Sequence, residues 1–141
     1  MSYCYEVREG KYLGHTDHVQ VNLETAQGHV YALLPYKVLS MTAALQSQAK
    51  RGEDVVLHTQ LITQGDVHPG QKDIHLIWVS VTDPQGRQIL SLQRHVPVYA
   101  GQGDIHLPIA WDDPPGKWRV TLRDAATGVA VEVTYDLPST E

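Results

Sequence analysis

Between residues 38 and 138, apolar and polar side chains alternate with a period of two, and Gly, Pro and Asp interrupt the pattern at short intervals. That period is the signature of strands with one dry and one wet face. The clearest case is "KWRVTLRDAATGVAVEVTYDL". Trp118, Val120 and Leu122 share one parity, against Arg119, Thr121 and Arg123. After a turn, Val129, Val131, Val133 and Tyr135 oppose Ala130, Glu132, Thr134 and Asp136. In the turn, Asp124 can accept backbone hydrogen bonds and Gly128 can take positive φ, so the segment reads as a hairpin.

The same grammar predicts the preceding elements. Ile105, Leu107, Ile109 and Trp111 form one face of a strand from Asp104 to Trp111. Arg87–Gln93 reads as a strand after the turn Asp83-Pro84-Gln85-Gly86. Asp73–Val81 carries Ile74, Leu76 and Trp78 on one face and Ile77, Val79 and Val81 on the other, which places it centrally in a sheet. Asp54–Thr63 follows the turn Lys50-Arg51-Gly52-Glu53. Met41–Lys50 contains good helix formers, but Leu39, Met41, Ala43 and Leu45 alternate, so Val38–Leu45 is a strand running into a loop. Seven short strands at this spacing predict an all-β, antiparallel immunoglobulin-like or fibronectin-like β-sandwich. The Cys…Trp…Cys spacing of true immunoglobulin domains is missing, so the expectation concerns architecture alone.

Residues 1–37 differ. Tyr3–Arg8, His18–Glu24 and His29–Leu34 read as three strands joined by Gly-bearing loops. So short a segment cannot close a sandwich. It must pack on the following domain, pair with another copy, or be the edge of a larger upstream domain. Pro35 and Tyr36 bridge into the sandwich, giving an N-terminal β segment at 1–37 and a sandwich at 38–141.

Charge and composition narrow the partners. The net charge is −5 and Lys50-Arg51 is the only adjacent basic pair, which disfavours nucleic acid. Cys4 is the sole cysteine, so the fold does not rest on an internal disulfide. No segment approaches the roughly 18 apolar residues of a membrane-spanning helix. The opening MSYCYEVREG lacks the basic start and apolar run of a signal peptide. A leader further upstream, in a larger protein, is the expectation.

Two stretches resemble something known. "YEVREGKYLGHTDHVQVNLETAQGHVYALLPYKV", residues 5–38, is similar to the end of the β-sheet domain that follows the barrel in many bacterial glycoside-hydrolase-like proteins. Residues 39–138, with "RGEDVVL", "VSVTDPQGR" and "PPGKWRVTLRDAATG", resemble the immunoglobulin-like or macroglobulin-like modules that end large secreted bacterial proteins. The resemblance implies a C-terminal accessory region. It carries no catalytic residue across, because the barrel and its carboxylates are absent from these residues.

Candidate chemistry is sparse. His15, Asp17, His18 and His29 are the tightest group that could ligate a metal, yet their spacing matches no zinc signature, and no metal or cofactor is expected. His58, His75 and His106 fall on strands as solvated or singly bonded side chains. Asp83, Asp112, Asp113 and Asp124 are turn residues, and no D-x-D-x-D loop gathers them for calcium. No G-x-S-x-G elbow occurs. "GQGD" at 101–104 opens no helix and is no phosphate cradle. Trp78, Trp111, Trp118 and Tyr135 are in phase with apolar neighbours and are expected in the core. Tyr3, Tyr5, Tyr31 and Tyr99 are less constrained and are the candidate contact surface.

The sequence therefore points to a non-catalytic structural and interaction module of a larger, exported bacterial protein, extracellular or periplasmic. Its partner would be a neighbouring domain of the same polypeptide or a second copy of the chain. One alternative is a carbohydrate-binding module using exposed tyrosines. Another is a fragment completing a glycoside-hydrolase-like enzyme.

Overall fold

The computed structural model describes residues 1–65 and 73–139. Among the described residues, ten strands form two antiparallel sheets: β1 (Ser2–Glu6), β2 (Lys11–Thr16), β3 (Tyr31–Leu34), β4 (Lys37–Leu45), β5 (Asp54–Gln64), β6 (Ile74–Thr82), β7 (Arg94–Tyr99), β8 (Gln102–Pro108), β9 (Gly116–Asp124) and β10 (Ala130–Leu137). The first three make a small sheet in the order β2-β1-β3. The other seven run β10-β9-β6-β7-β8-β5-β4.

The seven-stranded order folds over on itself. β7 pairs with β6 along six residues but meets β8 only at Tyr99–Gln102, and the end strands β4 and β10 come into contact. The result is a sandwich of β10-β9-β6-β7 against β8-β5-β4. In immunoglobulin constant domains the fourth strand joins the sheet of the first, second and fifth. Here it joins the sheet of the third, sixth and seventh, which is the fibronectin-like arrangement.

Parity explains the core. Val55, Leu57, Ile77, Val79, Val81, Ile105, Leu107, Val120 and Leu122 are all fully buried between the sheets. Each such side chain contributes about 1.5–3 kcal/mol relative to exposure. Trp118 joins them, stacks at 6.0 Å on Tyr135, and donates its indole N–H to the Pro114 carbonyl at 3.0 Å. The Asp83 turn forms as expected. Burial pushes its carboxyl up, but the N–H groups of Arg87 and Gln85 and the Arg87 guanidinium together outweigh this and hold it below the usual range.

Three expectations need correction. Arg87–Gln93 is not a strand: Gln88 makes one bridge to Thr82, and Leu90–Leu92 forms a single 3-10 turn. The fourth strand is β7, which contains Pro97. Proline is tolerated there because β7 has little pairing beyond β6. His18–Glu24 is not a strand either. A tight turn pairs Glu6 with Lys11, so residues 11–16 take that place, and the following segment crosses to β3 on the other side of β1. Trp111 is 77 % exposed and Trp78 is half-buried on the outer face of β6, so neither lies in the core as expected. β8 ends at Pro108, and Asp113 accepts the Ala110 N–H at 2.8 Å to start a turn that carries the indole onto Gly52.

The small sheet packs on the sandwich. The Tyr5 hydroxyl accepts the Val38 N–H at 3.0 Å, and the Lys37 ammonium lies 4.3 Å from the centre of the Tyr12 ring. Gly10, in the β1–β2 turn, meets Gly128, in the β9–β10 turn. A Cβ built on Gly128 would lie 2.5 Å from the Gly10 Cα. Only glycine allows that approach.

Candidate functional site

His75 shares its parity with Ile77, Val79 and Val81 and so points into the dry layer, where a polar ring must find partners. It has two. Its Nδ1 lies 3.0 Å from Asp124 Oδ1, and its Nε2 lies 2.7 Å from the Tyr36 hydroxyl. The other Asp124 oxygen accepts the Thr127 hydroxyl at 2.6 Å and the Thr127 N–H at 3.2 Å. Three donors converge on the Asp124 carboxylate, so His75 Nδ1 carries the proton. Nε2 shares the second hydrogen bond with the Tyr36 hydroxyl. Burial raises the Tyr36 pKa well above 10, and the Asp73 and Asp124 carboxylates add to the effect.

The relay joins three parts of the chain. Tyr36 comes from the bridge between the two sheets, His75 from the start of β6, and Asp124 from the end of β9. It lies beside a cleft of about 360 Å³, walled by Val7 and Leu34 on one side and Ile74, Leu76 and Ala125 on the other. Both His75 nitrogens, both Asp124 oxygens and the Tyr36 hydroxyl are engaged within the protein. This arrangement fastens the bridge between the two sheets to β6 and β9.

The expected site residues are not brought together. Tyr5 is buried, with burial the main cause of its raised pKa, and is removed from the candidate contact surface. It lies on the face of β1 that meets the sandwich. Tyr3 is half-buried and stacks on His15 at 4.2 Å. Tyr31 is half-buried beside His29, and its register with Glu6 puts it on the opposite face of the small sheet from Tyr3. Tyr99 is 61 % exposed, on β7.

The metal candidates are also apart. His15 is held by Tyr3, His29 by Tyr31, and Asp17 pairs with exposed His18 at 2.9 Å, which lowers the Asp17 pKa. Among the described residues, no three His, Cys, Asp or Glu side chains gather as a metal-binding group. His58 and His106 lie on the wet face of the β8-β5-β4 sheet, beside Asp104 at 2.8 Å and Asp54 at 3.7 Å. The expectation that His75 is solvated or singly bonded is corrected. The usable signal was its parity, in phase with three buried aliphatic residues.

The outer face of β6 and β7 is a second feature. Ile74, Leu76 and Trp78 stand in cross-strand register with Tyr99, Pro97 and His95. Ile74 and Leu76 are about half exposed, and the Trp78 ring leans on His95 at 4.7 Å. No protein-family model matches the sequence, and no curated protein shows significant similarity to it.

Proposed function

We propose that this chain is a non-catalytic structural and interaction module of a larger, exported bacterial protein, in which it supports a neighbouring domain. The observation that carries the reading is the buried Tyr36–His75–Asp124 relay, whose polar atoms are spent on pinning the bridge between the two sheets to β6 and β9 of the sandwich. A site for acid–base chemistry needs a group within reach of a substrate proton. Here the imidazole nitrogen that could act as a base is turned to Tyr36 inside the protein. The apolar row on β6 supports the interaction part, since contiguous exposed apolar surface marks contact sites.

The test is to extend the reading frame upstream and express the neighbouring domain with and without residues 1–141. The linked module should raise the melting temperature of that domain by several degrees. An unchanged melting temperature, or a coding region that starts at Met1, would refute the reading.

A further inference from the structure

We infer that the free edge of β3 accepts one further β-strand, supplied by the neighbouring domain, as a fourth strand of the small sheet. The inference rests on the supporting-module reading and names how the neighbour is held. Among the described residues, β3 ends the small sheet and pairs with β1 alone. The Val7 N–H donates to the Val30 carbonyl at 2.8 Å, which fixes the alternation of bonds along the pair. Ala32 and Leu34, in phase with Val30, spend their backbone groups on Tyr5 and Tyr3. Tyr31 and Leu33 therefore turn their N–H and C=O groups away from β1. Among the described residues, no hydrogen bond reaches those four groups.

Such a row selects its occupant in a way that an apolar face does not. Its donors and acceptors repeat every second residue, about 6.8 Å apart, and an extended backbone is what repeats at that spacing. The other edges are blunted. β2 carries Lys11 and a bulge opposite Cys4 and Tyr5. β7 carries Pro97, and β4 and β10 lie against each other. Charges, bulges and prolines keep an edge from pairing. β3, with the sequence YALL, has none of them. The flanking side chains define the partner. Leu33 is 63 % exposed and, with Tyr31, borders a hollow of about 510 Å³ that reaches Cys4, Val19 and Val21 on the outer face. Leu34, on the other face of β3, borders the cleft formed with Ile74 and Leu76. A strand laid along β3 sets its side chains alternately toward one apolar hollow and the other. The partner strand is therefore uncharged and apolar on both faces, over the 4 residues that β3 offers.

The test is a titration of the full chain with a synthetic strand, followed by amide exchange in NMR. The probe is a peptide of this chain's own segment Ile77–Val81 (IWVSV), uncharged and apolar on both faces, with a lysine at each end for solubility. It is added from roughly 5 to 500 µM, a span that covers modest affinities. Exchange at the Tyr31 and Leu33 N–H groups should slow about tenfold or more at saturation, while Ala32 and Leu34, already bonded to β1, change little. A Val79→Pro version of the peptide keeps its apolar character but loses a backbone donor and should bind about tenfold more weakly or worse. In the chain, Leu33→Pro removes an outward donor and leaves the pairing with β1 in place, so it should weaken binding about tenfold or more. Leu33→Lys, which places a charge on the edge, is the second variant if Leu33→Pro unfolds. Unchanged exchange at Tyr31 and Leu33, equal binding of the Val79→Pro peptide, or full binding by the folded Leu33 variants would each overturn the proposal. An edge that takes no strand leaves the supporting-module reading to its own melting test.

Discussion

Replacing His75 with Ala tests the relay directly. The change leaves the Asp124 carboxylate, 0 % exposed, without one of its donors and the Tyr36 hydroxyl without its imidazole partner. Breaking a buried pair on one side costs about 3–5 kcal/mol, because the remaining charge is stranded. Tyr36→Phe is milder: it leaves one imidazole nitrogen unsatisfied, at about 1–3 kcal/mol. A domain of this size holds about 5–15 kcal/mol in total. At about 3–4 °C per kcal/mol, His75→Ala should melt about 10–20 °C below the parent and Tyr36→Phe about 3–12 °C below it. The decisive measurement is the double variant, followed by circular dichroism in heat and in urea. Once His75 is gone the Tyr36 hydroxyl has lost its imidazole partner, so removing it as well should cost less than Tyr36→Phe costs alone. If the two losses add to within about 0.5 kcal/mol, the two side chains are not coupled and the relay is refuted.

Three further outcomes follow from named contacts. Gly128→Ala drives a methyl group into the Gly10 backbone and strains a residue at φ 77°, so it should cost about 2 kcal/mol or more. Amide exchange should then lose protection in β1–β3 before it does in β5, β6 or β9. Burial raises the pKa of Tyr5, Tyr36 and Tyr135 above the ordinary 10.0. Their contribution to stability is therefore complete below pH 10 and is lost as pH rises beyond it, because the unfolded chain ionises first. Ultraviolet absorbance should show these three ionising only as circular dichroism reports unfolding, and their ionisation ahead of unfolding would contradict the burial. Trp118→Ala should cost about 3–5 kcal/mol, against about 0.5 kcal/mol or less for the exposed Trp111→Ala, both read from urea midpoints.

The hairpin of β9 and β10 was legible in the sequence to within a residue or two, because its alternation is local and its turn residues act on their own neighbours. β7 was not, because Pro97 counts against a strand until one knows that the strand has little pairing on one side. Trp111 was misplaced by carrying parity past Pro108, where the strand has ended and parity has no meaning. Tyr5 was placed at the surface because nothing in residues 1–37 says which face of the small sheet meets the sandwich. The relay was the least legible feature. Its partners are 39 and 49 residues apart, and only the fold brings them within hydrogen-bonding distance. The one local sign of it, a histidine in phase with Ile77, Val79 and Val81, has a bland reading as well.

The meeting of Gly10 and Gly128 has an evolutionary and practical side. Two turns more than a hundred positions apart share one atom-tight gap, so neither can accept a larger residue while the other stays in place. Grafting a foreign hairpin at either turn would therefore succeed only when the graft keeps the bare backbone there, and anyone recombining the two parts from different sources should transplant both glycines as a set.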